Sequence, residues 1–142
     1  MDLNTLSAEK CIAQINDVFE AGEVKDTGAA MTFVVADAAQ VDQFAACLQS
    51  LGKKIVIGDV SLNGDGLVAF AEALPGQADS GVAVFTGYEA FTERVAACYH
   101  MKEASIMEKA KGWVLINVMT EDSAKKFKPN LAGAMYQVEP IA

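Results

Sequence analysis

Gly81-Val82-Ala83-Val84-Phe85 and Trp113-Val114-Leu115-Ile116-Asn117-Val118-Met119 are two short runs rich in apolar, β-branched and aromatic residues. The first stops at Thr86-Gly87, and Gly112 opens the second. Between them, Tyr88 to Lys111 reads as helical, with Tyr88, Phe91, Val95 and Tyr99 on one face and Ile106, Met107 and Ala110 resuming it later. Lys102-Glu103 interrupts that stripe, which also suits two shorter helices. Two strands joined by a helical segment of this length make a βαβ crossover, and a crossover sets its strands parallel.

The alternation continues outward in both directions. Upstream, Ala30 to Ala36 reads as a strand, followed by Asp37 as N-cap with Gln40 at the capping-box position. Val41, Phe44, Ala45 and Leu48 form the buried stripe of a helix that runs to Leu51 and stops at Gly52. Ile55-Val56-Ile57 is the next strand, and Leu67 to Leu74 a short helix ended by Pro75-Gly76. Further upstream, Cys11, Ile12, Ile15, Val18 and Phe19 give residues 5–21 an amphipathic helical pattern, closed by Gly22. Downstream of the opening unit, Thr120-Glu121-Asp122 supplies a cap and two acids for a helix that must end before Pro129. Met135 to Val138 reads as an edge strand, because Pro140 removes a donor. Thr86, with Glu89 three residues on, repeats the capping pattern.

Strands that are continuously apolar and alternate with helices predict a parallel sheet covered on both faces. The expectation is a single α/β domain over residues 1–142, with an N-terminal helix at about 5–21 packed on it. Its sheet would be mainly parallel, with four to five strands and helices on both faces. The alternative is a ferredoxin-like α+β sandwich. Phe44-Ala45-Ala46-Cys47-Leu48 resembles Val95-Ala96-Ala97-Cys98-Tyr99, a likeness that Ala-rich helix faces packed on a sheet produce without duplication.

Composition narrows the partners. The chain carries 11 basic and 19 acidic residues, for a formal net charge of −8, and its lysines form no stripe interleaved with aromatics. Phosphate backbones would repel it, so nucleic acid is not expected as a partner. No run of about 18 apolar residues exists, so no membrane span is expected. The acidic start Met1-Asp2-Leu3-Asn4 does not resemble a signal peptide. Cys11, Cys47 and Cys98 are odd in number and fall in apolar helical patterns, which suits free thiols in the cytoplasm.

In a doubly wound sheet, ligands bind beyond the carboxyl ends of the strands. Asp37, Asp59, Thr86 and Thr120 occupy those positions and are the candidate ligand-binding residues. Helix capping is the simpler explanation of Asp37, Thr86 and Thr120, given their spacing to Gln40, Glu89 and Glu121-Asp122. Asp59-Val60-Ser61-Leu62-Asn63-Gly64 has half of a calcium-loop pattern, but Phe70 stands where a bidentate glutamate is needed. Asn63-Gly64-Asp65-Gly66 is more simply a turn. No G-x-G-x-x-G, G-x-x-x-x-G-K-[ST] or C-x-x-C occurs, and the one histidine makes an ordinary zinc site hard to assemble. No cofactor or metal is therefore expected. Cys98 and His100 are two apart, which on a helix turns their side chains about 200° from each other. Trp113 reads as core packing.

The usual donors of acid–base and nucleophilic chemistry are thus missing or better explained as caps and core. The reading leans away from an enzyme. It favours a protein–protein interaction domain acting as an assembly subunit, adaptor or inhibitor, with a protein partner or a second copy. Lys125, Lys126 and Lys128 form the basic cluster that could meet an acidic surface. The alternative is a small-molecule-binding enzyme or sensor that holds a polar ligand at the strand ends.

Overall fold

The computed structural model describes residues 4–22, 24, 28–59, 73–74, 80–90, 110–127 and 134–141. In chain order these form β1 (Thr5–Leu6), α1 (Ala8–Ala21), β2 (Ala29–Val35), α2 (Ala38–Cys47), β3 (Ile55–Asp59), β4 (Gly81–Thr86), β5 (Trp113–Thr120), α3 (Glu121–Phe127) and β6 (Ala134–Val138). Short 3-10 turns follow at Leu48–Leu51 and Tyr88–Ala90. The strands make one sheet in the order β1-β6-β2-β5-β4-β3. All five pairings are parallel.

The expected α/β class and parallel sheet hold, with six strands instead of four or five. A ferredoxin-like sheet pairs its strands antiparallel, so the parallel ladders overturn that alternative. The extra strand is β1, which lies where the helix over residues 5–21 was expected to begin. Ser7 is the N-cap, its hydroxyl accepting from the Lys10 amide at 3.2 Å, so the helix starts at Ala8. Thr5 and Leu6 pair instead with Gln137 and Val138. That pairing moves β6 off the edge: it sits between β1 and β2, and Pro140 falls beyond its end.

Alternating residues of each strand divide between two faces. Met31, Phe33 and Val35 of β2, Val114, Ile116 and Val118 of β5, and Val82 and Val84 of β4 join one cluster with Cys11 and Ile15 of α1 and Val41 and Phe44 of α2. The intervening residues Val34, Ala83, Phe85, Leu115 and Met119 are equally buried on the opposite face. Burial on both faces is why β2, β4 and β5 carry almost unbroken apolar runs. Two polar residues break those runs, Thr32 and Asn117, and both are buried. Asn117 accepts from the Tyr88 hydroxyl and donates to the Thr32 hydroxyl at 3.4 Å, so the polar atoms are satisfied within the second face.

Glycines shape the joins. Gly22 and Gly52 hold left-handed conformations that stop α1 and the turn after α2. The crossover from β4 to β5 opens on Gly87 (φ 92) and the Tyr88–Ala90 turn, so Thr86 is not followed directly by a helix. Residues 91–109 of that expected helix lie outside the described residues, as do Cys98 and His100. Residues 60–66 of the expected Asp59–Gly66 turn and residues 67–72 of the expected Leu67–Leu74 helix do so too. At the far end of the crossover, Gly112 donates its amide to the Val24 carbonyl at 2.7 Å, fixing the entry into β5.

Candidate functional site

β2 and β5 are neighbours in the sheet, yet their outgoing connections run in opposite directions, one to β3 and one to β6. Right-handed crossovers then place the two following helices on opposite faces. α2 covers the face of Phe33 and Ile116. α3 starts on the face that carries Asn117 and Tyr88. Divergence of this kind opens a crevice beyond the carboxyl ends of the two strands. A cavity of about 410 Å³ lies there, lined by Ala36, Asp37 and Ala38 after β2, Tyr88 and Glu89 after β4, and Thr120, Asp122, Ser123 and Lys126 after β5.

Asp37, Thr120, Ser123 and Glu89 each have a local task at the rims. Asp37 Oδ1 accepts from the Gln40 amide at 3.1 Å, capping α2. The reciprocal half of the capping box does not form. Gln40 turns instead to the C-terminal segment, accepting from the Ile141 amide at 2.7 Å and donating to the Ile141 carbonyl at 3.1 Å. Thr120 Oγ1 accepts from the Ser123 amide at 3.3 Å, which caps α3. Glu89, expected to serve the helix after Thr86, reaches across the sheet end. Its Oε2 accepts from the Ser123 hydroxyl at 2.8 Å and from the Thr120 amide at 3.4 Å. The Gln40, Thr120 and Ser123 amides are thus taken by the chain's own oxygens, and Asp37 adds negative charge where a phosphate would sit.

Of the four residues expected at a ligand site, the fold brings together two, Asp37 and Thr120. Thr86 and Asp59 end β4 and β3, where they pair with each other in register, displaced from the crevice toward the β3 side of the sheet. Of the lysine cluster, Lys126 reaches the crevice rim, and Lys125 pairs with Glu121 one turn earlier at 3.5 Å. Lys128 lies outside the described residues. Tyr88, Glu89 and Ser123 were not singled out as site residues from the sequence. Asn117 and Thr32 were the available signal, because a polar residue in a fully apolar strand needs a buried partner.

Among the described residues, no group of three or more His, Cys, Asp or Glu side chains is placed to hold a metal ion. None of their helices is long and apolar enough to cross a membrane. Cys11 is fully buried, and burial, followed by the charge of Glu139, pushes its thiol up to about 11 from the usual 9.0. Such a thiol is a packing group and a poor nucleophile. The chain matches no protein-family model and no curated protein at a significant level.

Proposed function

We propose that this chain is a non-enzymatic contact domain, an assembly subunit, adaptor or inhibitor, that works through a protein surface in the cytoplasm. The observation that carries this reading is Ile57, a large apolar side chain left 54% exposed on β3, an outer strand of the sheet. Among the described residues no strand pairs with the outer side of β3, so it offers apolar surface together with backbone groups, the two things a protein partner uses. The crevice lends indirect support, since Asp37, Thr120, Ser123 and Glu89 are engaged in holding helix starts. Light scattering across a concentration series at low and high salt tests the self-contact form of this reading. A mass above that of one chain, rising with concentration, is the expected result. A single-chain mass throughout would remove self-association.

A second reading draws on the crevice itself. Asp37, Glu89 and Asp122 set three carboxylates against Lys126 around a cavity of about 410 Å³. That balance suits a small cationic, hydroxyl-bearing molecule better than a phosphate. Asp122→Asn separates the readings, because Asp122 lines the crevice without capping a helix. Under the contact reading it leaves the oligomeric mass unchanged. A ligand site would show as loss of a thermal shift given by a cationic amino alcohol such as Tris.

A further inference from the structure

We propose that β3 is a self-pairing strand: it joins β3 of a second copy, antiparallel and centred on Val56, to make one continuous sheet across two chains. This rests on the contact reading above and names its surface and its partner. Among the described residues β3 has one neighbour, β4. The Val82 amide donates to the Lys54 carbonyl at 2.8 Å, and Ile55 pairs with Val82 in a parallel ladder. Along a strand, backbone groups alternate between the two sides. Lys54, Val56 and Gly58 therefore turn their amides and carbonyls to β4, while Ile55, Ile57 and Asp59 turn theirs outward.

That alternation limits the registers open to a second strand. Outward residues must stand opposite outward residues, so that each pair exchanges both hydrogen bonds. Pairing centred on Ile57 would oppose Ile57 to itself and Ile55 to the carboxylate position 59. Pairing centred on Val56 opposes Ile55 to Ile57 twice and sets position 53 opposite position 59 twice, lysine against aspartate. Two apolar pairs flanked by two opposite-charge pairs make a self-complementary strip, the arrangement a two-fold contact requires. Ile55 is already partly buried against the core cluster. The second copy's Ile55 would cover the exposed Ile57 on the same face. Lys53 is exposed, with its Nζ 4.6 Å from the Phe19 ring centroid, so its charge lies at the surface near the strand's start.

The test is a charge swap read by light scattering and sedimentation on the full chain. The expected result is a dimer that Lys53→Glu or Asp59→Lys each weakens by tenfold or more and that the double variant restores. Lys53→Glu and the double variant both lose the Phe19 contact, so recovery in the double reports the intermolecular pair. Dimerisation indifferent to either single change would overturn the proposal and leave a contact elsewhere on the surface. Loss in both singles without recovery in the double would overturn the Val56-centred register. A wild-type chain that stays monomeric at every concentration would overturn it outright.

Discussion

At the scale of single residues, the strand ends are built from side chains that answer backbone needs. Asp37 satisfies an orphan amide at the start of α2. Truncation to alanine should cost about 1 kcal/mol, and asparagine, an equally good cap, should cost almost nothing. Urea denaturation of the two variants checks this, and equal losses would point to a role for the charge itself. The buried pair of Tyr88 and Asn117 makes a similar demand inside the second face. Tyr88→Phe keeps the ring but removes the donor, and should lower stability by about 1–2 kcal/mol in the same assay. Cys11 sets a pH dependence. Its folded thiol titrates near 11 and its unfolded one near 9.0, so the group's contribution is whole below pH 9 and is lost as pH rises toward 11. Denaturation midpoints for wild type and Cys11→Ala should therefore converge over that interval.

Among the elements, β4 meets β5 and the start of β3 at a very close approach. A Cβ on Gly81 would stand 2.5 Å from the Lys54 carbonyl oxygen and 2.8 Å from the Trp113 ring. Gly81→Ala should therefore destabilise the fold by more than about 2 kcal/mol, seen as a lower thermal midpoint, because backbone and a buried indole must both move. The apolar runs of β2, β4 and β5 were legible in the sequence because burial on both faces leaves few polar positions. β1 was not, since two residues carry no period and Thr5-Leu6 continues the amphipathic pattern of α1. β6 was read as an edge from Pro140, although the proline lies just past its end, where no ladder donor is needed. At the site, capping chemistry revealed Asp37 and Thr120. Glu89 went unrecognised because its partners, Thr120 and Ser123, lie 31 and 34 residues away. Strand order alone brings them together.

For the whole molecule, one order of strands produces both surfaces under discussion. Divergent crossovers from β2 and β5 open the crevice, and the excursion from β2 to β3 carries Ile57 to the side of the sheet. The rim side chains Asp37, Thr120, Ser123 and Glu89 are engaged in the chain's own hydrogen bonds, whereas β3 presents outward amides at Ile55, Ile57 and Asp59. Self-pairing should be nearly insensitive to salt in its apolar centre and weakened by salt at its charged ends. The most direct measurement is amide hydrogen exchange along β3 at dilute and high protein concentration. The account predicts that Val56 and Gly58, bonded to β4, are protected at both, while Ile55 and Ile57 exchange quickly when dilute and slowly when concentrated. Ile55 and Ile57 amides whose exchange does not change with concentration would contradict it.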